Sequence, residues 1–195
     1  MKAKFLFSTI GLFFISLVAL AQQKTEINLN PWSEIPTGVY KLSVRGEVRV
    51  TIIYSKTSYY DFGTDLKKYI ASGQEKSARS FVSNGTLTIT PEITGAAGVI
   101  RIFLKEPLID IEVSEGGLVM FGSKITQPSM NIRLNNSKLY SENRFSVNNF
   151  VLENRQGIIE LKKASLNSAV MKITPGSKNN FMGKVSKQQM FVIEE

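Results

Sequence analysis

Between residues 109 and 193, apolar residues return in clusters about every 20 positions, in three series that advance together. One series runs Ile109/Ile111/Val113, Met130/Ile132/Leu134, Phe150/Leu152, Met171/Ile173 and Met190/Val192. A second runs Leu118/Met120, Leu139, Ile159/Leu161 and Phe181, and a third runs Ile125, Phe145/Val147, Leu166 and Val185. Between them stand residues that favour turns and left-handed backbone: Gly116-Gly117, Asn135-Asn136, Gly157, Pro175-Gly176 and Gly183. No single cluster can bury its own apolar residues, but stacked repeats bury a continuous column. The pattern predicts an all-β solenoid with three short strands and three corners per rung. Residues 99–195 would supply about five rungs, and residues 27–98 the N-terminal strands and cap. A β-sandwich also has short, regularly spaced strands, but it does not require three series in lockstep.

Upstream, Val44 to Ile52 alternates apolar and polar residues and reads as one half-buried strand. Asn84-Gly85 before Leu87-Thr88-Ile89 is a hairpin signal. Val99 to Leu104 reads as a further strand. The one helix candidate is Thr64 to Ile70, with Leu66, Tyr69 and Ile70 on one face. At the start, Lys2 and Lys4 precede an apolar run from Phe5 to Leu20, and Ala19-Leu20-Ala21 supplies a small-x-small cleavage site. Residues 1–21 therefore read as a secretory signal peptide and residues 22–195 as a single exported domain, without a transmembrane segment after cleavage. The expected address is periplasm, outer surface or medium.

The chain holds neither Cys nor His. That excludes a disulfide framework, a thiolate nucleophile, zinc-finger or iron–sulfur ligation and a lipidated cysteine. It equally excludes a Ser-His-Asp triad and any His-ligated metal. Carboxylates, Lys, Arg, Tyr and hydroxyls remain. Asp110 and Glu112, with Glu115 nearby, lie opposite Ile109, Ile111 and Val113 and point outward as a solvated strand face. Asp61 and Asp65 flank Gly63, but not at the spacing of a calcium loop; cap and turn roles account for both. No metal, cofactor or catalytic residue is expected. Met120, Phe121, Met130, Phe145, Phe150, Met171, Phe181, Met182, Met190 and Phe191 read as solenoid filling. Trp32, Tyr59 and Tyr60 read as core of the cap, with a small aromatic platform for sugars as the other use.

The net charge is +8, and +6 without Lys2 and Lys4. From Arg155 to Lys187 there are seven basic residues, opposed only by Glu160. In a solenoid, residues one period apart stack. Lys163 with Lys184, and Arg144 with Lys162, would then form ladders able to hold anionic groups. The candidate contacts are Arg155, Lys162, Lys163, Lys172 and Lys184. A Lys-rich face that only keeps the protein soluble and blocks edge pairing is the competing use. Nucleic acid is not expected, because the chain reads as exported and carries no aromatic-interleaved basic motif.

An ordered set of segments resembles the head GIN domain family of secreted bacterial auto-transporter adhesins. The set comprises Tyr40 to Thr51, Leu66 to Ile70, Asn84 to Ile89, Ile100 to Leu104 and Pro107 to Ser114. The resemblance covers residues 40–195. It implies a right-handed β-helix-like solenoid and a surface-binding role. Later corners depart from the family's Ser-Gly-Ser-Gly type, with Asn135-Asn136-Ser137 and Asn154-Arg155-Gln156-Gly157 in its place. The expected function is a non-enzymatic, adhesin-like or envelope-associated module that contacts an anionic glycan or envelope component. A polysaccharide lyase or hydrolase on the same scaffold, and a structural periplasmic protein with a protein partner, are the alternatives.

Overall fold

The computed structural model describes residues 34–62, 78–91 and 98–194. The signal-peptide reading, Trp32, Asp65 and the helix candidate at 64–70 lie outside these residues. The described chain forms twelve strands joined in one sheet that coils around a single core. Three faces meet at three corners. The strands are β1 (Lys41–Arg45), β2 (Val48–Tyr54), β3 (Tyr59–Phe62), β4 (Ala78–Ser83), β5 (Thr86–Pro91), β6 (Gly98–Leu104), β7 (Asp110–Ser114) and β8 (Leu118–Phe121). Four longer strands follow and bend around the corners: β9 (Ile125–Asn135), β10 (Lys138–Arg155), β11 (Ile158–Ile173) and β12 (Lys178–Val192).

From residue 110 to 192 the chain makes about four consecutive parallel turns, one short of the sequence expectation. On the first face Ile111, Ile132, Leu152, Met171 and Met190 stand in register. Ile173 aligns two residues further on, with Asn154 and Leu134. On the second face the inward column is Val119, Leu139 and Ile159, flanked by Phe121, Ser141 and Leu161. Here the sequence reading took the wrong parity. Leu118 and Met120 point outward, and Met120 is 41% exposed. On the third face Ile125, Phe145 and Ala164 align, beside Gln127, Val147, Leu166 and Val185. Phe121, Phe145, Phe150 and Phe181 run through the interior with successive ring centroids 5.4, 5.9 and 6.0 Å apart. Edge-to-face packing of this kind adds to simple area burial.

The N-terminal part joins the same stack out of chain order. β1 and β2 lie directly on β7 and β8. The chain then passes outward, and β5 and β6 form the next layer on β1 and β2. The consecutive coils thus begin at Asp110, and Val99 to Leu104 belongs to the outer layer. Val44 to Ile52 is not one strand, because Gly46, at φ 77°, makes a corner between β1 and β2. The outer layer is closed by antiparallel strands, β4 on β5 and β3 on β6. Asn84 and Gly85, at φ 48° and 69°, form the two-residue turn between β4 and β5 that the sequence signalled.

Two buried polar side chains, Gln127 and Asn154, satisfy backbone groups where the coil is irregular or turns a corner. Gln127 occupies an apolar column position and donates to the carbonyls of Leu108 and Ser129. Asn154, fully buried, holds the corner at Gln156-Gly157: its Oδ1 accepts from the Gly157 amide, and its Nδ2 donates to the Gly157 carbonyl and to Asn179. The corner between the second and third faces tightens along the chain. Three residues separate Ser141 from Phe145, two separate Leu161 from Ala164, and only Met182 separates Phe181 from Gly183. At the tightest turn only glycine fits, since a Cβ on Gly183 would fall 2.0 Å from the Ala164 carbonyl oxygen.

Candidate functional site

Outward residues fall into columns because parallel strands keep like positions in register, about 4.8 Å apart. On the first face one column reads Ser43, Glu112, Arg133, Glu153 and Lys172. From Glu112 onward its charges alternate. A neighbouring column brings Lys41 over Asp110. The Lys41 ammonium lies 3.2 Å from Glu112 and 4.0 Å from Asp110. One guanidinium nitrogen of Arg133 donates to both Asp110 oxygens, at 2.9 and 3.1 Å. Asp110 and Glu112 do point outward, but as parts of this ion-pair network rather than as free carboxylates. A shallow trough of about 330 Å³ runs beside the column, with Arg45, Arg133 and Arg155 interspersed with Glu112, Glu115 and Glu153. The first face therefore cancels its own charge.

The third face is different. Its segments are residues 125–129, 143–149, 163–168 and 183–187, and none of them contains a carboxylate. Arg144 lies in register with Lys163. Thr126, Ser146 and Ser165 form a hydroxyl column that ends on Lys184. Ser129, Asn149 and Ser168 form a parallel column that ends on Lys187. Arg144 Nε donates to Ser146 Oγ at 3.1 Å, which fixes the guanidinium along the face. Four cations thus share a surface whose other outward groups are mainly Ser, Thr and Asn, all capable of hydrogen bonding to an oxygen-rich ligand.

The five candidate contacts named from sequence separate on this frame. Lys163 and Lys184 belong to the third face. Arg155 sits on the first face and is bound to Glu153 at 2.8 Å. Lys172 stands in register with Glu153 at the end of the alternating column. Lys162 lies in the corner beside the third face, 2.7 Å from Glu142 Oε1. That pair raises the Lys162 ammonium and lowers the Glu142 carboxyl from their ordinary pKa values, chiefly through the hydrogen bond between them.

The two expected ladders also change. Lys184 stacks on Ser165, not on Lys163, and Arg144 stacks on Lys163, not on Lys162. The corner drops one residue in each of the last two coils, so partners on this face stand 19 residues apart, and neither the 21-residue nor the 18-residue spacing fits that step. Arg144, expected as a ladder partner, and Lys187, counted in the basic run but not among the five contacts, both belong to this face.

Elsewhere, Asp61 is neither cap nor turn. It lies in β3, 3% exposed, with Oδ2 2.6 Å from Arg101 on the paired strand β6. Tyr60 is fully buried, and desolvation pushes its phenol well above the usual range. Tyr59 is half-buried and stacks on Phe103 at 4.1 Å, so the two tyrosines divide between core and outer surface. Among the described residues, no group of three or more acidic side chains is placed to hold a metal ion, and no helix is long and apolar enough to cross a membrane. No protein-family model and no curated protein matches the sequence.

Proposed function

We propose that this protein is an exported, non-enzymatic binding module whose third face holds a linear polyanion, an acidic glycan or similar envelope polymer. The observation that carries the reading is the absence of carboxylates from four stacked segments that hold Arg144, Lys163, Lys184 and Lys187. A rigid cationic surface attracts a polyanion by Coulomb forces and by releasing its counterions. The serine, threonine and asparagine side chains between the cations give hydrogen-bonding partners for sugar hydroxyls and sulfate or carboxylate oxygens. The resemblance to secreted head GIN domain proteins and the signal-like residues 1–21 point the same way.

Retention on immobilised heparin in a salt gradient tests the reading. The double variant Lys163→Glu/Lys184→Glu should elute at clearly lower salt, with the salt slope reduced by about one unit per cation removed. Lys172→Glu, on the self-cancelling first face, should elute close to the parent. Equal shifts for all reversals would reduce the effect to net charge and remove the third face as the site.

A further inference from the structure

The two ends of the solenoid are finished differently. The N-terminal layer is covered by β3 and β4. At the other end β12, 15 residues long, pairs among the described residues only with β11, and no described strand lies on its second edge. Half of the large hydrophobic residues exposed on the described surface belong to this one strand: Met182, Met190, Phe191 and Val192. Long open edges with apolar residues are templates for pairing.

The inward positions of β12 follow from its partners on β11. Phe181, Gly183, Val185, Gln188, Met190 and Val192 oppose Leu161, Ala164, Leu166, Ala169, Met171 and Ile173. This spacing is a mirror pattern about the peptide joining Ser186 to Lys187. An antiparallel copy of β12, placed by a two-fold axis at that point, sets Phe181 against Val192, Gly183 against Met190 and Val185 against Gln188. From Phe181 to Val192 inward residues meet inward residues, so the two cores become continuous there. On the outer side the same register sets exposed Met182 against exposed Phe191. Lys184 meets Gln189 and Lys187 meets Ser186, so no lysine stands directly opposite a lysine.

We infer that two copies of this chain associate end to end through β12, in this antiparallel, two-fold register. The occupant of the edge is a second copy because one register satisfies the inward pattern and the exposed apolar residues together and sets no lysine directly opposite another, as an isologous interface can. The lysines of both copies gather along the seam, so added salt should tighten the association. The strand supplies 15 residues a side. A standard interface uses about 20–30, so the dimer should be concentration-dependent. The inference is independent of the polyanion reading.

The chain has no native cysteine, so a single Ser186→Cys is a clean reporter. The proposed register puts the two Ser186 Cα atoms about 6 Å apart, one strand spacing across and one residue along, within disulfide range. Ser186→Cys should crosslink rapidly under mild oxidation, and Ser165→Cys, one coil inward, should not. Sedimentation equilibrium of the unmodified protein should show a monomer–dimer equilibrium. Met190→Lys should weaken it by about a hundredfold or more, since the symmetry introduces the charge twice. Val192→Lys serves the same purpose if Met190→Lys fails to fold. A monomer at every concentration overturns the inference, whether the edge is left open or covered by a foreign strand. Equal crosslinking of the two cysteine variants, or a dimer that survives both lysine substitutions, overturns it too.

Discussion

The first and third faces of the solenoid share strands, backbone and an apolar inner column, yet their outer surfaces are opposites. On the first face Glu112, Arg133, Glu153 and Lys172 alternate along one column. On the third, Arg144, Lys163, Lys184 and Lys187 are opposed by no carboxylate within the face. The same chain thus makes one surface that consumes its charge and one that presents it. What separates them is not composition but which residues the coil brings side by side. A count of cations along the sequence mixes the two.

The largest effects should fall where the faces are alike. Phe145→Ala on the third face and Leu152→Ala on the first each empty a fully buried position in the common column. Each should cost about 2–5 kcal/mol in urea unfolding. Phe145→Ala should be the larger, because it removes ring contacts to both Phe121 and Phe150. A third-face column that tolerates truncation cheaply would mean that the inner walls also differ, and the comparison of exteriors would lose its basis.

Charge reversal should separate the faces by sign. Arg133→Glu replaces the cation between Glu112 and Glu153 in this column, and removes the hydrogen-bonded partner of Asp110. The cross-strand repulsion should cost about 1–2 kcal/mol at low salt and less at high salt. Lys163→Glu lies beside Arg144 and exchanges a like-charge pair for an opposite one. It should be neutral or stabilising by about 0.5 kcal/mol. Matched losses of stability in both variants would show that the third face is not under electrostatic strain.

Much of this architecture was legible in the sequence, and its gaps have physical causes. The coil could be read because inward residues return at one period and glycine or asparagine marks corners such as Asn136 and Gly157. The parity of Leu118-Val119-Met120-Phe121 could not, since all four residues are apolar and only the neighbouring Leu139 and Ser141 select Val119 and Phe121 as inward. Register was legible only to within one or two residues, which is too coarse for a surface. A single residue lost at the corner before Gly183 shortens the step from 20 to 19 residues and sets Lys184 on Ser165, two positions beyond Lys163. The pairing of β1 with β7 and β5 was hidden as well, because periodicity reports which side a residue faces and not which strand lies beside it.

The smallest effect lies at the border of the third face. Glu142 holds Lys162 at 2.7 Å and so keeps a fifth cation away from any ligand. Glu142→Gln removes the carboxylate's charge at constant pH and should raise heparin retention slightly, by up to about one unit of salt slope. Protonation should act in the same direction. The Glu142 carboxyl is lowered from its ordinary pKa by the Lys162 hydrogen bond and charge, so it stays ionised until the pH falls through that lowered value. The ion pair is therefore complete above the ordinary glutamate range and is lost below the folded-state pKa. Carboxyl NMR should place the midpoint of Glu142 below the ordinary glutamate value, and Lys162→Ala should return it upward. An unchanged midpoint in Lys162→Ala would mean that the pair does not persist in solution. Lys162 would then already belong to the cationic face, and Glu142→Gln should leave retention where it was.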